Sequence, residues 1–186
     1  MGERCGLSND EVRARLSGGS LVLDYESGQI GNREFHRRVQ TLLETSIGYE
    51  DFCEIWSSIF LPGTLIPESL IEALHEKHRL VLLSNTNGIH FEGLRTTRSI
   101  LRHFDAYVLS HEVKAMKPSP MIYQKAIEEA RCPPSECFFT DDILAYVEGA
   151  KLAGIDAVQF QNAEQIEMEL RARGVEWQIA SEQRSV

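Results

Sequence analysis

Apolar positions in the first third of the chain recur every three or four residues, the spacing of one helical face. In REFHRRVQTLLET, after Asn32, the residues Phe35, Val39 and Leu42-Leu43 share a stripe, with Asn32 placed to cap the helix. EDFCEIWSSIF does the same with Phe52, Ile55, Trp56 and Phe60. Ser8-Asn9-Asp10-Glu11 has the form of a capping box ahead of EVRARL, which Gly18-Gly19 would stop. The pattern predicts a compact helical piece with no strand of obvious length.

Beyond Pro62-Gly63 the texture changes. Helical stretches (ESLIEALHEKH after Pro67, MIYQKAIEEAR after Ser119-Pro120, ILAYVEGAKLA up to Gly154, AEQIEMELRAR up to Gly174) alternate with short apolar runs (LVLLS, AYVLS, ECFFT, DAVQF). A variable Thr-, Arg- and His-rich stretch separates the first two of those runs. Strands that are apolar nearly throughout and alternate with helices predict a parallel sheet covered on both faces. The fold class is therefore α/β, a doubly wound sheet behind a helical module.

In such sheets ligands bind at the carboxyl ends of strands, and three of those ends are polar. LVLLS ends in Ser84-Asn85-Thr86-Asn87, where a hydroxyl and turn N–H groups suit phosphate oxygens. AYVLS leads to a loop holding Lys114 and Lys117-Pro118, and Lys117 is a point charge able to neutralise a phosphoryl group. ECFFT ends in Asp141-Asp142, hard oxygen donors of the kind Mg²⁺ prefers. Taken singly, each reads as a turn, a solvated loop or a helix cap. Their joint placement after successive strands points to one site.

Composition narrows the partners. With 186 residues, 42% of them hydrophobic, the chain can bury one real core. A net charge of -9 without a basic run offers nucleic acid no electrostatic footprint. The four cysteines, Cys5, Cys53, Cys132 and Cys137, lack zinc spacing and read as reduced thiols. No apolar run suits a membrane span and the first residues are too polar for a signal peptide, so a cytoplasmic location is expected.

LLSNTN, MKPSPMIYQKAIEEA and CFFTDDILAYVEGAKLAGIDAVQF resemble, in that order, motifs two to four of the haloacid dehalogenase (HAD) superfamily. The subgroup they look closest to is the small sugar-phosphate phosphatases with a helical cap, whose cap helices YESGQIGNREFHRRV also resembles. The likeness runs from about Leu7 to Gln161. It implies a partial helical cap (residues 1–64), a Rossmann-like core (65–180) and a tail (181–186). It also implies a Mg²⁺-dependent phosphomonoester hydrolase acting on a small phosphorylated metabolite. By the resemblance, Ser84 and the Asn85 amide hold the phosphoryl group, Lys117 stabilises its charge, and Asp141, assisted by Asp142, anchors Mg²⁺. Tyr146 departs from the pattern, the subgroup often having Asn there.

The family's first motif, a central strand ending Asp-x-Asp that supplies the nucleophile and the general acid/base, has no clear counterpart here. The chain is expected to be truncated, inactive alone, and to lack that strand between those ending in Ser84 and Asp141. Leu21-Val22-Leu23-Asp24-Tyr25-Glu26 mimics the motif. Were it a strand, Asp24 would be the substitute nucleophile and Glu26 a lengthened acid/base. The cap-like Gln29-Ile30-Gly31 and the short distance to Ser84 argue against this.

The alternative function is a non-catalytic phosphate-binding or interaction protein that has lost the nucleophile motif. A signalling receiver domain would place the acidic pair first and the Lys last, the reverse of the order here. Dehalogenation would also need the missing Asp. His90, just past the Ser84 turn, either lines the site entrance or sits solvated at the surface.

Overall fold

The computed structural model describes residues 2–178. The expected tail, residues 181–186, and the last two residues expected of the core lie outside the described residues. Helices α1 (Gly2–Cys5), α2 (Asn9–Ser17), α3 (Leu21–Glu26), α4 (Asn32–Leu43), α5 (Tyr49–Ser57) and α6 (Glu68–His75) come before any strand. Then follow β1 (Val81–Ser84), α7 (Gly88–Thr97), β2 (Ala106–Leu109), α8 (Ser110–Val113), α9 (Pro120–Ala130), β3 (Phe138–Asp141), α10 (Leu144–Leu152), β4 (Asp156–Gln159) and α11 (Ala163–Ala172). Short 3-10 helices precede β2 and β3, at Ser99–His103 and Pro134–Glu136.

Two compact units result. The first comprises the described residues up to Leu61 with Ser84–Thr97 and Leu109–Met116; the second comprises Pro62–Leu83, Arg98–Val108 and the described residues from Lys117 onward.

The first unit is helical. The capping box forms: the Glu11 amide donates to Ser8 Oγ at 3.2 Å and the Ser8 amide to Glu11 Oε2 at 2.8 Å. Its core gathers Val12, Tyr25, Phe35, Val39, Leu43, Ile47, Phe52 and Ile89. The rings of Tyr25 and Phe35 stack at 4.0 Å, and Trp56 meets Phe35 edge-on at 4.8 Å. One disfavoured reading is excluded and one expectation changes. Leu21–Glu26 is a helix, so the strand reading of the first-motif mimic does not hold; burying Tyr25 on the aromatic stack selects the helical period. Gly31, not Asn32, is the cap of α4, because Asn32 Oδ1 accepts the Tyr25 hydroxyl at 2.8 Å.

The second unit carries most of the strands. Among the described residues they form two separate pairs, β1 with β2 and β3 with β4, the latter parallel with Phe138 opposite Asp156 and Asp141 opposite Gln159. No hydrogen-bonded strand joins β1 to β3 among the described residues. Leu70 and Leu74 of α6 and Ile166 and Leu170 of α11 form one core, against which Leu80, Phe138, Val158 and Phe160 pack. Ser119 makes no side-chain cap on α9; Pro120 opens that helix at its first turn. Asn162 does cap α11, accepting from the Gln165 amide at 2.8 Å. Among the described residues no helix is long and apolar enough to cross a membrane.

Candidate active site

β3 delivers Asp141 at its last residue, and the loop after α8 delivers Lys117 across a cis Lys117-Pro118 bond. The two meet: Lys117 Nζ donates to Asp141 Oδ2 at 2.5 Å and to the Leu83 carbonyl at 3.1 Å. Leu83 belongs to β1 and directly precedes Ser84. One ammonium therefore touches the backbone of β1 and the carboxylate ending β3, strands that are not bonded to each other. The other carboxylate oxygen, Asp141 Oδ1, accepts the Ile143 amide at 2.9 Å, which orients it at the entry to α10.

The pair is largely removed from water, with side chains 6% and 10% exposed. Aromatic rings wall it in, Lys117 Nζ lying 5.1 Å from the Tyr146 ring centroid and 5.6 Å from that of Phe139. Tyr123 is fully buried and donates its hydroxyl to the Tyr146 carbonyl at 2.7 Å. Burial, and next the charge of Asp141, push the Tyr123 phenol up to about 12. It stays a neutral hydrogen-bond donor through the working pH range. Tyr146, the departure from the family pattern, is thus part of the wall around the ion pair.

Asp142 is exposed, and its carbonyl accepts the Gln159 side chain at 2.8 Å. Ser84 and Asn85, both partly buried, fall in the first unit. There the turn after them is held by buried polar groups. Ser110 Oγ accepts the Thr86 amide at 2.9 Å and lies 2.6 Å from the Glu26 carbonyl, to which it donates. Asn87 is fully buried, its Oδ1 accepting the His90 amide at 3.0 Å.

Asp24 lies on α3, where it accepts the Ser20 hydroxyl at 2.8 Å and lines a groove of about 500 Å³ with residues of α2 and α4. Glu26, also on α3, is half-buried, and burial raises its carboxyl pKa. Neither stands on a strand, so the condition for Asp24 acting as nucleophile is not met.

His90 corrects the surface expectation: it is 7% exposed and stacks on Trp56 at 5.4 Å. With Asn87 Oδ1 taken by the backbone, Asn87 Nδ2 must donate to His90 Nδ1, at 3.0 Å, leaving His90 Nε2–H to donate to the Trp56 carbonyl, also 3.0 Å. The imidazole is held neutral, and burial lowers its pKa below the ordinary 6.5. A lowered folded pKa means the unfolded chain binds the extra proton first. The stabilisation is complete above about pH 6.5 and is lost as pH falls through the folded value. Unfolding free energy should decline on acidification below about pH 6.5, with a slope for this one proton of at most about 1.4 kcal/mol per pH unit. His90→Asn should flatten that part of the profile; equal slopes for both proteins would mean His90 titrates alike in the two states.

The sequence signalled Asp141 through its strand-end position and Lys117 through the loop that follows AYVLS; Tyr123 falls within the MKPSPMIYQKAIEEA segment that resembles the family. Phe139 and Ser110 gave no such signal, because each acts through partners remote in sequence; the Asn87–His90 lock is local, but the Trp56 carbonyl that completes it is 34 residues away.

The haloacid dehalogenase-like hydrolase model matches residues 7–154, and the chain belongs to that family. Its α/β architecture is the HAD-like one. Among curated proteins it is 25% identical over 174 residues to a D-ribitol-5-phosphate phosphatase of Bacteroides thetaiotaomicron, covering 90% of this chain and 84% of that one. Among solved structures it resembles the HAD family enzyme BT-2542 of the same organism, with a TM-score of 0.76 and 26% identity over 91% of this chain and 90% of the other. A complex of that enzyme with magnesium and inorganic phosphate matches with a TM-score of 0.75, 26% identity, and 86% of each chain covered.

Proposed function

We propose that this chain carries the phosphate- and magnesium-binding residues of a phosphomonoester hydrolase acting on a small phosphorylated metabolite of the sugar-phosphate class. The observation that carries the reading is the walled Lys117–Asp141 pair at the ends of β1 and β3. In this reading residues 1–64 are the cap and 65–180 the core, the substrate relatives supporting the metabolite class.

The donor set fits Mg²⁺. Each Asp141 oxygen keeps a lone pair beyond its present hydrogen bond, and Asp142 adds an exposed carboxylate. One or two carboxylates plus waters and substrate oxygens is the coordination Mg²⁺ takes. When bound, the ion would supply Lewis-acid neutralisation of phosphoryl oxygens. Lys117 adds a fixed positive charge where negative charge develops, in surroundings the aromatic rings keep dry. Asp141 holds Lys117 in register while no substrate is present.

The nucleophile in this reading is an Asp on an extended strand seated between β1 and β3, which the described residues do not contain; the reading expects no turnover where that strand is lacking. The test measures phosphate release from a panel of sugar phosphates with Mg²⁺, for this chain and for one extended at its N-terminus by a strand ending Asp-x-Asp. The extended protein should turn over, and Lys117→Ala should lower its rate roughly 100-fold. An extended protein indifferent to Lys117→Ala would sink the reading. The helical fold of Leu21–Glu26 favours a second reading, phosphate binding without catalysis. It predicts saturable phosphate binding by the chain and no turnover from either protein.

A further inference from the structure

We propose that Cys132 and Cys137 are a dithiol pair that closes to an intramolecular disulfide when the protein meets a small-molecule disulfide of the glutathione class. Their sulfurs lie 3.5 Å apart, and both residues are partly exposed. The intervening Cys-Pro-Pro-Ser-Glu-Cys turn is stiff. Arg131 ends α9 in the left-handed conformation at φ 61, and two prolines fix the next backbone angles. The Glu136 amide donates to the Pro133 carbonyl at 2.9 Å and the Cys137 amide to the Pro134 carbonyl at 3.1 Å. The thiols are thus presented to each other before any bond forms, so little chain entropy remains to be lost on closure. Closure brings the sulfurs from 3.5 Å to the roughly 2 Å of a disulfide. Cys5 and Cys53 belong to the first unit, whereas this pair belongs to the second.

The order of events follows from the environment of Cys137. Its S–H donates to the Pro133 carbonyl at 3.6 Å, and burial, then the neighbouring Cys132, push its thiol up to about 12. Cys137 is therefore the resolving partner. The Cys132 thiolate attacks one sulfur of the small disulfide, whose S–S bond breaks and releases one small thiolate, which takes a proton from water. With Cys132 capped, its contribution to holding the Cys137 proton is gone. Cys137 gives that proton to a solvent base and its sulfur attacks Cys132, expelling the second small thiol. Two protein thiols become one disulfide while one small disulfide becomes two thiols, and excess small thiol reverses the exchange.

The position gives the bond a structural reach. The turn connects α9, which opens three residues after Lys117, to β3, which ends at Asp141. The Cys137 carbonyl already accepts the Asp156 amide at 3.1 Å beside the β3–β4 pair. Closure would tie the two ends of that turn covalently, in the segment spanning the two charged residues.

The experiment treats the full chain with oxidised glutathione, quenches with an alkylating reagent, and maps the cysteines by peptide mass. The expected result is loss of two of the four thiols, a peptide linking Cys132 to Cys137, and no retained glutathione at either. Closure should run at least about tenfold faster than modification of Cys5 or Cys53. Cys137→Ser should trap glutathione on Cys132, whereas Cys132→Ser should leave Cys137 largely unmodified. Glutathione retained at both positions in the unsubstituted protein, a disulfide to another cysteine, or a rate no faster than that of Cys5 and Cys53 would each overturn the proposal. The unsubstituted protein decides this by itself, so a variant that folds poorly does not blunt the test.

Discussion

Lys117→Met should lower the unfolding free energy by about 3–5 kcal/mol, the loss that follows when one member of a buried ion pair is removed and the other stays charged. Methionine preserves much of the length and the contact with the Tyr146 and Phe139 rings but leaves Asp141 facing them with only the Ile143 amide as donor. Most of the loss comes from that stranded carboxylate. Adding Asp141→Asn should therefore restore more than half of it, because the paired wild-type charges contribute little net stability over a neutral substitute. Urea unfolding of the single and double variants measures both effects. A single-variant loss under about 1 kcal/mol would show that water screens the pair as it would a surface bridge.

Gly28→Ala should be nearly as damaging, by about 3 kcal/mol, for reasons unrelated to charge. Gly28 sits just beyond α3 with φ at +71, where an L side chain is strained, and an added Cβ would lie 2.0 Å from the His111 carbonyl oxygen. That oxygen is backbone at the start of α8, so it cannot rotate away, and α3 or α8 must move as a body. Gly31→Ala is the matched control: its φ is -88 and no heavy atom lies within 4 Å of the added methyl. Thermal or urea unfolding should place Gly31→Ala within about 1 kcal/mol of the parent, the cost of alanine at a helix N-cap. Equal stabilities for the two variants would mean the α3–α8 approach relaxes freely.

Much of the architecture could be read from spacing because long periodic stretches have only one way to bury their apolar stripe. The helices carrying Phe35 and Phe52 are of that kind; the four-residue runs that became β1, β3 and β4 were legible instead from their alternation with helices. Short stretches are different. LVLDYE fits either period over its six residues, and the decision comes from Tyr25, whose hydroxyl donates to Asn32 and accepts from the Ile89 amide. Helix α7 gave little sign of itself, since Gly88 and Gly93 weaken its intrinsic preference and Ile89 and Phe91 gain their burial from tertiary packing. His90 misled for a similar reason: its partner carbonyl on Trp56 is 34 residues away. At the candidate site the charged residues were legible because strand ends expose them to a ligand. The rings around them were not, because Tyr146 and Phe139 look like ordinary helix and strand residues until the chain brings them to Lys117.

The divided sheet also governs how the protein comes apart. A ribbon of two strands is barely stable in water by itself. The β3–β4 pair cannot outlast its cover of helices, so α6 and α11, which pack on Phe138 and Val158, set how it melts. The side chains of that core tie β3 and β4 to both helices in one folding event. Loosening either helix should release β3 and β4 together rather than fraying them one by one.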